Sequence, residues 1–403
     1  MASSTGTITQ PLAATSPEPT YEGDFVLNEA LVLDCGRVLT APVLHYAVYG
    51  RLNEVADNAV LVCHALSGSA LAGVWWPGLF DGIVDLEQEC VICVNLLGSC
   101  YGSTGPGSVN PESQAKNPLD PPEIAKVYGP EFPLISIGDN VRAQAQLLDS
   151  LGISRLKLAI GGSIGGMQAL DWTIRYPERV ERAVIIAVAP LGAMGLALNH
   201  LQRTAIQGDP EWLGGWYALS KPGGQSPRRG MALARQIAML SYKSSALFDE
   251  RFGRNPNRNG EDPWALDAEG GGLIVSAAQG RESGGRFDVA GFLDYQGERF
   301  LERFDANAYL AILRTMDTWE PTRGYRDAQE AYGRITASLT FVGISSDWLF
   351  PEGDVRKLAE TVEAAGARVV YQEMVTDHGH DAFLAEQGEL VRLLAIGSKS
   401  GQK

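Results

Sequence analysis

Ser163 stands in Gly161-Gly162-Ser163-Ile164-Gly165-Gly166, after the apolar run of residues 158–160 and before the helical pattern MQALDWTIRYPERV. A nucleophilic serine needs small residues two before and two after it, because the chain turns sharply from strand to helix and a side chain there would meet the neighbouring element. The hydroxyl is then held at a helix start, where free backbone amides favour developing negative charge. A glycine turn without catalysis satisfies the same spacing, so the serine needs a base and an acid before it counts as a nucleophile.

Only five histidines compete for the base: His45, His64, His200, His378 and His380. His45 lies in the run PVLHYAVYG and reads as a packed or edge residue. His64 follows NAVLVC and precedes the serine, the wrong chain order for a strand-turn-helix nucleophile of this kind. His200 falls among helical patterns, where capping, substrate contact and plain exposure all remain open. His378 and His380 lie in VTDHGHDAFL, just past the last strand candidate, where the order serine, acid, histidine places the base. His380 is preferred because Gly379 lets the loop bend and Ala382 and Phe383 can anchor a closing helix; His378 is the alternative. The acid should follow the penultimate strand, and FVGISSDWLF supplies Asp347 to orient the imidazole, with Asp354 as its rival. Oxyanion donors are expected from the backbone N–H of Ile164 and one from CHALSGSA, preferably Leu66. Cys90 and Cys93 have CxxC spacing, but within ECVICVNL alternation sends them to opposite faces of a strand, which speaks against metal or redox use.

Elements must bring these groups together. Between residues 28 and 190 short apolar runs alternate with helical patterns, which predicts a layered α/β sheet. The strand candidates are ALVLDC, PVLHYAVYG, NAVLVCHAL, CVICVNLL, LKLAIGG and RAVIIAVAP. Residues 139–151, DNVRAQAQLLDSL, carry helical spacing, with Asp139 as cap and Gly152 as end. After Pro190 come the helix candidates ALARQIAML and FDANAYLAILRTM, separated by joints such as KPGGQSPRRG and NPNRNGEDP. Strand rhythm returns at ASLTFVGIS and RVVYQEMV, with KLAETVEAAG as a helix between them. Those last strands need neighbours, so the expectation is one sheet with an insertion: a loose arm over 1–25, core over 26–194, a helical lid over 195–330 and the rest of the core over 331–403.

The chain has 403 residues, 45% hydrophobic and 20% charged, which suits a globular protein. Its 33 basic and 48 acidic residues give a net charge of -15, which argues against nucleic acid or an anionic membrane as partner. The longest run without a polar side chain, residues 183–198, is broken by Pro190, Gly192 and Gly195 and is too short to span a bilayer. Residues 1–25 hold three prolines, and no Lys or Arg precedes Arg37, unlike a secretory signal. Five cysteines, an odd number set in or beside strand-like runs, suggest free thiols in a reducing, cytoplasmic compartment.

The chain resembles the homoserine O-acetyltransferases, a branch of the α/β-hydrolase fold. The resemblance is carried by HALSG, NLLGSCYGSTGP, YGPEFPLISIGDNVRAQ, GGSIGGMQALDW, RTAI with DPEW, ARQIAMLSY, LDYQGERFLERFDANAYL, SDWLFP and DHGHDAFL, spread over residues 45–385. It implies a mostly parallel central sheet with helices on both faces and an inserted helical lid. It further implies a cytoplasmic homodimer in methionine biosynthesis, without metal or permanently bound cofactor, that uses acetyl-CoA as co-substrate. Ser163 would attack the thioester, and the acyl-enzyme would pass its acetyl group to the hydroxyl of L-homoserine. Arg235 matches the family's carboxylate-holding arginine, Asp381 the aspartate that holds the amine, and Tyr242 another position at the active site.

A zwitterionic amino acid needs one cationic and one anionic clamp, and a guanidinium suits a carboxylate. The plainer readings are a solvated or salt-bridged helix face for Arg235 and a helix N-cap for Asp381. Two stretches depart from many bacterial members: LSGSALAGVWWPGLF in place of LTGD with a following histidine, and Thr204 in place of glutamine. Both lie where the acyl group or acceptor is read. L-Serine as acceptor and succinyl as acyl group are therefore alternatives; a triad and oxyanion hole hand the acyl group equally well to water, so an esterase or thioesterase is a further one, beside an inert scaffold.

Overall fold

Strands buried on both faces read as unbroken apolar runs, and AVLVC, CVICV and LAIGG form the fully buried middle of a sheet. The computed structural model describes residues 16–112, 126–217, 226–259, 263–264, 274–276, 281–282 and 286–400. In chain order the strands are β1 Tyr21–Val26, β2 Leu31–Val32, β3 Val38–Leu39, β4 Val43–Tyr49, β5 Ala59–Cys63, β6 Cys90–Val94, β7 Leu158–Gly162, β8 Arg182–Ile186, β9 Ile274–Ser276, β10 Arg281–Glu282, β11 Ser338–Ile344 and β12 Arg368–Met374. Eight of them share one sheet in the order β1-β4-β6-β5-β7-β8-β11-β12. β1 and β4, and β4 and β6, pair antiparallel; the pairs from β6 to β12 are parallel. This is an α/β-hydrolase fold.

Among the described residues the helices are α1 Ala72–Trp75, α2 Ile137–Ser150, α3 Ile164–Arg175, α4 Ala193–Gln207, α5 Arg228–Ser241, α6 Ser245–Arg251, α7 Asp288–Leu301, α8 Ala306–Asp317, α9 Ala328–Tyr332, α10 Glu352–Ala364, α11 Ala382–Ala385 and α12 Gln387–Ser400. Side chains alternate across a strand, so the sheet has two apolar faces. Cys90 and Ile92 pack with Leu147, Trp172 and Val355 of α2, α3 and α10. Val91 and Cys93 pack with Trp76, Phe383 and Leu390 on the other side. Cys90 and Cys93 thus face opposite ways, as the alternation requires. Between β8 and β11 the chain leaves the sheet for α4 to α9 and the β9–β10 hairpin, then returns to lay β11 beside β8. Among the described residues no helix is long and apolar enough to cross a membrane.

Three local expectations change. Tyr21–Val26, placed across the end of a loose arm, is an edge strand registered from Tyr21 opposite Val48 to Val26 opposite Val43. Its side chains are mostly exposed and backbone pairing holds it, so hydrophobic periodicity is silent there. Residues 1–15 of that arm, and parts of the two joints KPGGQSPRRG and NPNRNGEDP, lie outside the described residues. ALVLDC yields only β2, which pairs with β3 across a turn where Gly36 has φ +85°. Finally, α2 starts two residues before Asp139. Its cap is Ser136, whose Oγ accepts from the Asp139 N–H at 2.9 Å while the Asp139 carboxylate accepts from the Ser136 N–H at 2.8 Å.

Candidate active site

The turn between β7 and α3 puts Ser163 at φ 58° and ψ -132°, a conformation rare for any residue with a side chain. Packing explains the glycines around it: a Cβ on Gly165 would overlap the Cys63 carbonyl, and one on Gly161 would overlap Gly165. Ser163 is 5% exposed and opens onto a cavity of about 520 Å³ that His380 also lines.

His380 Nδ1 lies 2.6 Å from Asp347 Oδ2, and both residues are buried. The second Asp347 oxygen accepts from the Leu349 and Phe350 N–H groups at 2.9 and 3.0 Å, which fixes the carboxylate. Burial alone would lower the His380 pKa. The charge and hydrogen bond of Asp347, with a smaller contribution from Asp381, outweigh it and hold the imidazole above its ordinary value. Nδ1 is thereby committed to Asp347, and Nε2 is the nitrogen left for proton transfer.

Competing residues are placed elsewhere. His378 pairs with Glu386, and Asp354 sits in the first turn of α10. His45 lies between Glu22 and Asp24 of β1, and His200 is on the exposed side of α4. His64 is fully buried with both nitrogens used: Nδ1 donates to the Ala65 carbonyl at 2.8 Å and Nε2 accepts from the Leu96 N–H at 3.1 Å. Burial pushes its pKa down to about 4, which keeps it neutral. Its work is to tie the ends of β5 and β6 together.

Leu66 lines the cavity in the tight turn after β5, where the Gly68 N–H donates to the Ala65 carbonyl at 2.9 Å. Ile164 is the first residue of α3, so its amide has no partner within the helix.

On the side facing the helical excursion the cavity is lined by Arg235, Tyr242 and Asp381. Arg235 is not a solvated face residue. Its guanidinium lies 4.7 Å from the Phe300 ring centre and 5.3 Å from that of Tyr242, and its buried Nη1 has no hydrogen-bond partner among the described residues. Tyr242 has its pKa raised by burial, and its ring centre is 5.8 Å from that of His380. Asp381 occupies the N-cap position of α11, yet its side chain makes no capping bond; its oxygen instead lies 3.5 Å from Lys243 Nζ.

Lys243, Arg303, Asn199 and Gln202 also line the cavity, and none was singled out from sequence. A usable signal existed for two of them: Asn199 and Gln202 interrupt, at i and i+3, the face of α4 that buries Gly195, Leu198 and Ile206. Arg303 and Lys243 carry no such mark. Arg303 Nη1 donates to the Ser67 carbonyl at 2.8 Å and to Tyr101 Oη at 3.1 Å, joining the end of α7 to the loop after β5. Among the described residues no cluster of His, Cys, Asp and Glu has the arrangement of a metal site.

The sequence profile of the alpha/beta hydrolase fold matches residues 58–387. A homoserine O-acetyltransferase of Symbiobacterium thermophilum is 43% identical over 369 residues, 88% of each chain. A homoserine O-succinyltransferase of Alkalilimnicola ehrlichii is 39% identical over 371 residues, 89% of each chain. Among solved structures, homoserine O-acetyltransferase from Bacillus anthracis superposes with a TM-score of 0.78 over 93% of this chain and 97% of that one, at 23% identity. Esterase E22 has a TM-score of 0.71 over 92% of this chain and 98% of its own, at 22% identity. At such identities the structures speak for the fold alone; the sequence relatives, close over nearly the whole length, place this chain in the homoserine O-acetyltransferase family of acyltransferases.

Proposed function

We propose that the enzyme transfers an acetyl group from acetyl-CoA to the hydroxyl of L-homoserine by a ping-pong mechanism, a step of methionine biosynthesis. Ser163 Oγ attacks the thioester carbonyl while His380 Nε2 takes its proton. The oxyanion is held by the N–H groups of Leu66 and Ile164, and the imidazolium is stabilised by Asp347. Collapse expels CoA, which leaves with the proton from His380. The homoserine hydroxyl then gives its proton to His380 and attacks the acyl-serine; breakdown returns that proton to Ser163. Arg235 holds the acceptor's carboxylate, Asp381 its ammonium, and Tyr242 the wall between Arg235 and His380. The helices between β8 and β11 act as a lid.

The observation that carries this reading is the buried Arg235 Nη1, unpartnered among the described residues, in the cavity shared with Ser163. A buried charged donor without an acceptor is costly, and an anionic substrate group relieves it. Water does not. One observation keeps succinyl open as the acyl group: Arg303 lines the same cavity and offers a second guanidinium to a carboxylated acyl chain.

The test is a matrix of acetyl- and succinyl-CoA against L-homoserine, L-serine and water, scoring both CoA release and O-acylated product. Acetyl-CoA with homoserine should lead. Arg235→Ala should lose tenfold to a hundredfold in homoserine kcat/KM, the effect of about 1.5 to 3 kcal/mol for a hydrogen bond to a charged group. CoA release indifferent to every amino acid would make the protein a thioesterase instead.

A further inference from the structure

Lys243 follows directly on the cap of α5, the helix that carries Arg235. Its backbone is locked in place. The Asp381 N–H donates to the Tyr242 carbonyl at 3.1 Å, and Trp348 Nε1 donates to the Lys243 carbonyl at 3.2 Å. Gly379 has φ +67°, and a Cβ on it would lie 2.7 Å from Lys243 Cα. Only the lysine side chain is left to move. Its ammonium is 3.5 Å from Asp381 Oδ2, longer than a close charge-assisted hydrogen bond, and it is the only side-chain partner of Asp381 among the described residues.

Lys243 also borders a second cavity, of about 820 Å³, lined by Leu240, Ser244, Phe248, Trp348, Asp249 and Asp377. The four-carbon stem therefore has room on both sides of its fixed backbone. One side holds Asp381 and the reaction cavity; the other holds two further carboxylates.

We propose that Lys243 stands in for the acceptor's ammonium: its Nζ covers Asp381 before the acceptor binds, and an amino-acid acceptor enters by displacing it toward Asp249 and Asp377 in the neighbouring cavity. This rests on the reading of Asp381 as the amine clamp and adds a competitor to it. The competition makes Lys243 a specificity-determining residue. It weakens the binding of amino acids, and it shields acceptors without an ammonium group from a bare carboxylate.

These two effects have opposite signs, which a merely structural role would not produce. The experiment compares L-homoserine with 4-hydroxybutyrate, the same hydroxyacid without its amine, in the wild type and in Lys243→Met. With the competitor gone, homoserine KM should fall about fivefold, while kcat/KM for 4-hydroxybutyrate should fall as Asp381 is uncovered. Lys243→Arg should stay near the wild type. Parallel changes for both acceptors, or a rise in homoserine KM, would overturn the proposal. If Lys243→Met does not fold by circular dichroism, Lys243→Gln carries the same two expectations and the same overturning outcomes. Asp381→Asn separates this from failure of the underlying reading. If that variant discriminates between the two acceptors as the wild type does, Asp381 is not the amine clamp and both ideas fall. If discrimination is lost in Asp381→Asn but Lys243→Met moves both acceptors in parallel, only the stand-in falls.

Discussion

His380 is held between burial and the Asp347 carboxylate, which Asp381 assists, and the carboxylates prevail. Because the base must be neutral to accept a proton, the acid limb of the acylation rate should lie above the ordinary histidine pKa of about 6.5. Asp347→Asn removes the larger raising influence and leaves burial opposed only by Asp381, so the limb should move to lower pH while the plateau drops, by about 10⁴-fold in the best-characterised Ser-His-Asp triad. Single-turnover CoA release across pH 5 to 9 measures both, with Ser163→Ala as the blank; an acid limb that stayed in place would mean that Asp347 does not set the imidazole's charge. The pair Asp347–His380 was legible because chain order, strand ends and the small number of histidines left few choices. Lys243 was not legible, since its meaning depends on Asp381 lying against it from 138 positions away.

At the level of elements, His64 joins β5 to β6 in its neutral form, and protonation would cost the Leu96 bond its acceptor. The folded pKa is about 4 against an ordinary value near 6.5, so the unfolded chain binds the extra proton first. Stability from this residue is therefore complete above the ordinary pKa and is lost as pH falls toward 4, by roughly 3 kcal/mol over the whole window. His380, with its pKa raised, has the opposite sign: its contribution is complete below the ordinary value and fades as pH rises through the folded one. Urea midpoints between pH 7 and 5 should fall more steeply for the wild type than for His64→Asn, which can still donate to Ala65. Equal slopes would mean that His64 does not carry the linkage. The buried strands could be read from sequence because continuous apolar runs have few other fates. β1 could not, because an edge strand held by backbone bonds has no apolar period, and Ser136 escapes notice because the helical spacing becomes visible only a turn later.

For the whole molecule, α4 and α5 pack together and expose Met194, Leu201, Leu233 and Leu240, between 43% and 60% accessible. The family resemblance implies a homodimer, and we propose this exposed apolar surface as the place where the two copies meet. Light scattering at micromolar concentration should give twice the chain mass, and Leu201→Glu with Leu233→Glu should halve it; a monomeric wild type would reject the dimer. The excursion between β8 and β11 also orders events during synthesis. Ser163 and His380 are 217 positions apart, so at roughly 5 to 20 residues per second a ribosome completes the nucleophile some 10 to 40 s before its base. Over most of that interval β8 awaits β11, leaving the strand RAVII as an open edge able to pair with another nascent chain. A translation product cut short before β11 would be catalytically silent and adhesive, which makes the interval between these two strands the period when the growing chain most needs a chaperone.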